Sequence, residues 1–214
     1  MNENEINAIL RQADEVAQTI SNEWSGLQGA YMPGRGQALD FQNAALQACE
    51  RIAGTEGHAQ EVVASLAATR EACYATGQQN WIHQIDQYMP SMQECQNTLS
   101  SVLHGYHMLN SAFELGANLD ALHDLTNSTF EHNSRPEHTN NHEAMRRQLT
   151  ELLPVQEYTT VLLHRAQELI AVPYSEAIPP QVHGYLETLK SNLDEQYAVI
   201  DAYVTALNEE LAAV

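Results

Sequence analysis

Along most of this chain apolar residues return at steps of three and four, the two steps that bring an α-helix back to the same face. Between Trp81 and Leu125 they fall at Ile82, Ile85, Met89, Met92, Cys95, Leu99, Val102, Tyr106, Leu109 and Phe113. One continuous stripe results. The pattern predicts a helix from Ile82 to Leu115, about 50 Å long at about 1.5 Å per residue. Pro90 lies inside it and removes a backbone donor, which predicts a kink or short break near Tyr88. At Gly116 two outcomes stay open: a turn that folds Ala117–Phe130 back onto the central helix, or a bent continuation.

Segments on either side supply partners for this stripe. A first helix is expected over about residues 3–25, with Ile6, Ile9, Leu10, Ala13, Val16, Ala17, Ile20 and Trp24 on one face. Gly26, Gly29 and Pro33-Gly34-Arg35-Gly36 predict its end and a loop. A second helix over about residues 37–53 turns Phe41, Ala45, Cys49 and Ile52 inward. Gly54 and Gly57 bracket Thr55, whose hydroxyl would cap a third helix over about residues 56–76, and Gly77 closes that unit. Farther on, His132–Asn141 reads as a polar linker, and a helix resumes over about residues 142–172 with Pro154 inside it. The last helix carries Val182, Leu186, Leu189, Leu193, Tyr197, Ile200, Val204, Leu207 and Leu211, a heptad pattern suited to a bundle or a coiled coil. No segment alternates with period two for long enough to be a strand. The expected fold class is all-α, an elongated bundle of six or seven helices with long central and C-terminal helices. Its expected organisation is a three-helix unit over residues 1–78 and a longer bundle over residues 79–214, continuous with it or separate, with residues 132–141 as the linker.

Charge narrows the range of partners. The 214 residues carry a formal net charge of -19, and its origin is a shortage of bases: nine Lys plus Arg against 28 Asp plus Glu. A surface so poor in cations repels phosphate, which argues against direct nucleic-acid binding and against anionic membrane. No run of about 18 apolar residues occurs, so no membrane span is expected. The start, MNENEINAIL, is acidic and polar where a secretory leader is basic and then apolar. Residence in the cytoplasm is the expectation, with leaderless secretion compatible. Three cysteines, Cys49, Cys73 and Cys95, are widely spaced on apolar faces and read as reduced thiols packed as small hydrophobes.

Histidine is the residue most suggestive of chemistry. His104 and His107 share a helix face, as do Asp120 and His123 beyond Gly116. A turn at Gly116 would bring the two pairs together as three imidazoles and one carboxylate, a donor set for zinc or iron. His138 and His142 form an HxxxH, and HTNNHEAMRRQ resembles the histidine-bearing stretch of DinB-type metal-binding bundles. That resemblance implies a metal-binding role for the two histidines, although the family's further ligand histidine corresponds to Arg146 here. No G-x-S-x-G occurs, and no cysteine neighbours a histidine in a recognisable motif. The Gly-rich loop at residues 33–36 has no preceding strand and no GK[ST], so it reads as a turn and not as a phosphate cradle.

Two surface signals remain. On the C-terminal helix Glu187, Asp194 and Asp201 recur every seven residues as one acidic stripe opposite the apolar one. Trp24-Ser25-Gly26 resembles the W-x-G turn of WXG100-type secretion substrates, and Tyr197 to Asp201 fits the Y-x-x-x-[DE] signal associated with that route. The loop after Gly26 is longer than in that family, and the tyrosine motif falls inside a helix. With no catalytic constellation, the favoured expectation is a non-enzymatic acidic helical protein that binds another protein with a basic surface, as adaptor, inhibitor or effector. Glu187, Asp194 and Asp201 are the expected contact residues, and no cofactor is expected. Alternatives are a metal-dependent helical-bundle enzyme using His104, His107, Asp120 and His123, a nucleic-acid mimic that inhibits a DNA- or RNA-binding protein, and a leaderless secretion substrate. The C-terminal heptads also suit a homodimer.

Overall fold

A computed structural model describes residues 2–133 and 142–213. Among the described residues the chain is all-α, with no strand and five helices: α1 (Glu3–Gln28), α2 (Ala38–Thr76), α3 (Gln79–Asn133), α4 (His142–Ile170) and α5 (Pro180–Ala212). Most of the linker expected at residues 132–141, including His138 of the HxxxH, lies outside the described residues.

The expected count of six or seven helices is corrected to five among the described residues, because the expected break at residues 54–57 is helical and, of the two outcomes open at Gly116, the helix continues. Gly54, Thr55 and Gly57 lie inside α2. The Thr55 hydroxyl does not cap a new helix; it donates to the Arg51 carbonyl one turn back, at 3.0 Å. What carries α2 across its glycines is a seven-residue register of buried positions, Ala45, Ile52, Ala59, Leu66 and Cys73. Burial along that line outweighs a glycine penalty of about 1 kcal/mol per residue. Gly116 is likewise inside α3, which also continues through Pro90. The α1 helix runs past Gly26 to Gln28, starting from a capping box in which Asn2 and Glu5 exchange bonds at 2.8 and 3.0 Å. Between α2 and α3 the expected stop holds: Gly77 adopts φ +70, and the Gln78 amide donates to the Cys73 carbonyl.

Two compact units emerge, each drawing on distant stretches of chain. Unit 1 comprises residues 1–31, 44–108 and 175–179. Its core joins Ile6, Val16 and Ile20 of α1, the α2 register, and Ile85, Met92, Leu99 and Val102 of α3. Polar ties flank that core: Arg51 with Glu23 at 3.3 Å, Arg70 with Asp86, Tyr88 donating to Asp14 at 3.3 Å, and Gln28 donating to the Glu176 carbonyl at 2.9 Å.

Unit 2 comprises residues 32–43, 109–174 and 180–214. Here α4 and α5 pack on each other, burying Leu152, Val155, Leu162 and Leu169 against Val182, Leu186, Leu193 and Ile200. The apolar heptad stripe of α5 is therefore covered within its own chain. Tyr158 of α4 donates to Asn118 of α3 at 3.1 Å. An edge-to-face series, Phe41 on Phe113 and Phe113 on Tyr185, ties the start of α2 to α3 and α5 with ring centroids 5.7 and 6.0 Å apart. No helix among the described residues is long and apolar enough to cross a membrane.

Candidate functional site

The most developed concave feature is a cleft of about 730 Å3 in unit 2, between α3 and α5. From α3 it takes Gly116, Leu119, Asp120, His123, Thr126, Asn127 and Phe130; from α5 it takes Tyr185, Thr188, Leu189, Asn192, Glu195, Gln196 and Val199. Both sets share one spacing: steps of three, one, three, three, one and three. Each is a single helix flank four turns long, about 21 Å at about 1.5 Å per residue. The helices run in the same direction there, since the Tyr185 hydroxyl lies against Gly116, Gln196 reaches His123, and Tyr203 stacks edge-on with Phe130 farther along. Pro33, Gly34 and Arg35 complete the lining, and the next residue, Gly36, donates its amide to Asp120 Oδ2 at 2.8 Å, which pins that loop to α3.

Leu119, Leu189, Phe130 and Val199 make the walls apolar, so the polar groups among them stand out. Gln196 Nε2 donates to His123 Nδ1 at 2.8 Å, which leaves the proton of a neutral imidazole on Nε2. The opposite end of the same amide, Gln196 Oε1, is buried without a hydrogen-bond partner. Tyr185 is pushed up to about 12, first by burial and then by the negative charge of Asp120, so it stands in the cleft as a neutral phenol. The Tyr185 hydroxyl also explains Gly116: a Cβ at that position would run into it and press on the Ala38 side chain.

These observations separate the histidines proposed as metal ligands. Because α3 continues through Gly116, the turn that was to fold His104 and His107 back toward Asp120 and His123 is absent. Asp120 and His123 belong to the unit 2 cleft. His104 sits at the edge of a wide trough of about 930 Å3 in unit 1, beside Trp24 and Cys95. His107 faces Cys49, with Sγ 3.7 Å from Nδ1. Among the described residues no group of three or more His, Cys, Asp or Glu has an arrangement able to hold a metal ion.

Two features were not visible in the sequence. The Cys49–His107 pair joins residues 58 positions apart on different helices. Burial pushes the Cys49 thiol up, which keeps it protonated and unlike an activated nucleophile. The α5 flank of the cleft is the other, because Tyr185 and Gln196 acquire a role only from what α3 places opposite them. Their shared spacing is present in the sequence, but no motif says that the two stretches face each other.

The acidic stripe of α5 divides on inspection. Glu187 and Asp194 are exposed, and Asp194 takes an ion pair from Lys190 at 2.6 Å. Asp201 is half-buried and accepts from Gln156 Nε2 of α4 at 2.8 Å, a bond internal to unit 2.

No family model, curated protein or solved structure matches this chain. A functional reading therefore rests on its own residues.

Proposed function

We propose that this chain is a non-enzymatic helical protein that acts by binding another protein whose contacting surface is basic. The observation that carries this reading is how its few cations are used. Arg51, Arg70, Arg165 and Lys190 each face a carboxylate of the same chain, and the formal net charge is -19. The remaining carboxylates project a field that steers a positively charged partner and disfavours an acidic one. On α5 the exposed pair Glu187 and Asp194 forms the contact in this reading, Asp194 exchanging its exposed Lys190 ion pair for a cation of the partner, and Asp201 holds α4 to α5. Because the apolar side of α5 is covered by α4, an interface on this helix uses its polar face.

Charge reversal tests the assignment. Glu187→Lys combined with Asp194→Lys is expected to weaken binding to a basic partner by at least about tenfold at low salt, as rim charges act mainly on encounter and are screened by ions. Asp201→Asn, which keeps an acceptor for Gln156, is expected to bind as the parent does. Unchanged binding by the double reversal removes α5 from the interface.

A further inference from the structure

We propose that the α3/α5 cleft of unit 2 is a binding site for a small organic ammonium ion carried on an apolar body. This inference stands on different residues from the protein-binding reading and does not depend on it. Size is the first consideration: about 730 Å3 falls within the range of roughly 300–1,000 Å3 typical of small-molecule sites. The walls are mainly apolar, through Leu119, Phe130, Leu189 and Val199, so they accept a hydrocarbon or aromatic body.

Selectivity comes from the polar groups. Two carboxylates, Asp120 and Glu195, line the cleft against one guanidinium, Arg35. An anion would meet that surplus of negative charge as well as the field of the whole chain. Asp120 stands three residues before His123 on α3, hence one turn away on the same face of the cleft. Asp120 on α3 and Glu195 on α5 are therefore the charged acceptors that the cleft offers, one from each flank. One Asp120 oxygen is already used by the Gly36 amide, and the other is available to a second donor. A protonated amine brings up to three donors and one positive charge, which matches these acceptors. Tyr185, held as a neutral phenol, adds a hydrogen-bonding wall without adding charge.

Isothermal titration of the full chain with three molecules of similar body tests this: 2-phenylethylammonium, phenylacetate and 2-phenylethanol. Saturable 1:1 binding of the ammonium is expected, with the alcohol and the carboxylate each at least about tenfold weaker, the effect of losing one charge-assisted contact. Asp120→Asn should weaken the ammonium about tenfold and leave the alcohol unchanged. Gln196→Glu should tighten the ammonium, a gain that a folding defect cannot imitate. Glu209→Gln, on α5 outside the cleft, controls for general attraction to an acidic protein. Equal binding of ammonium and carboxylate, no saturation by any of the three, or the same loss in Glu209→Gln as in Asp120→Asn would overturn the proposal.

Discussion

The glycines of α2 and those of α3 occupy similar positions in long helices and serve opposite purposes. Around Gly54 and Gly57 there is open space, with no atom within 4 Å of a Cβ built on either. In α3 the two glycines are places where something else comes close. A Cβ on Gly105 would strike the Ala177 carbonyl and the Leu27 side chain within unit 1, and one on Gly116 would strike the Tyr185 hydroxyl within unit 2. The first pair weakens a helix that its buried heptads sustain; the second pair allows other segments to approach a backbone. A glycine in a helical pattern is therefore not by itself a break signal, and what decides is whether the buried register continues across it.

Substitution by alanine separates the two pairs, and the largest effect is expected at Gly105. Its obstacle is a backbone carbonyl that cannot swing aside, so Gly105→Ala should lower stability by about 3 kcal/mol, read from the urea midpoint. At Gly116 the obstacle is the end of a side chain. Gly116→Ala should cost less, about 1–2 kcal/mol, by displacing the Tyr185 hydroxyl. That displacement has a second readout, because a Tyr185 ring moved toward water should ionise at lower pH. In α2 the sign reverses: Gly54→Ala and Gly57→Ala should each raise stability by about 1 kcal/mol, since alanine improves the helix and meets no neighbour. Destabilisation by either would show that α2 relies on those glycines for packing.

The comparison extends to pH dependence. In the unfolded chain Tyr185 would lose its proton near its ordinary value of 10.0, whereas in the folded chain it holds the proton to about 12. The unfolded state thus sheds protons first as pH rises, and stability falls from about pH 10 through about pH 12, with no contribution from this residue below that window. Phenolate absorbance should show late-ionising tyrosines, Tyr185 with Tyr88 and Tyr106, which burial also pushes up. Asp120→Asn should bring the Tyr185 midpoint down yet leave it above 10.0, because burial is the larger cause and the Asp120 charge the smaller.

Much of the fold was legible because helical periodicity is a local property. The apolar stripes of α3 and α5, the Gly77 stop and the all-α class follow from residues within a few turns of one another. The helix count was not, because Gly54, Thr55 and Gly57 carry helix-end chemistry, while Ala45, Ile52, Ala59, Leu66 and Cys73 keep one buried register through them. Of the candidate site, Asp120 and His123 were legible as an i, i+3 pair on one face. The partners that give them a role were not: Gln196 lies 73 residues from His123, and Gly36 lies 84 residues from Asp120. Nor could spacing show that Asp201 is held by Gln156, which is why a regular stripe of three acids resolves into two exposed carboxylates and one internal acceptor.

The most direct test of the protein-binding reading is capture of partners by the full chain from nuclease-treated extract at low and high salt, beside the Glu187→Lys, Asp194→Lys variant. One stoichiometric protein with a basic surface, retained at low salt, weakened by added salt and lost by the variant, is the predicted result. Retention that ignores both salt and charge reversal, or capture of no protein at either salt, would contradict it.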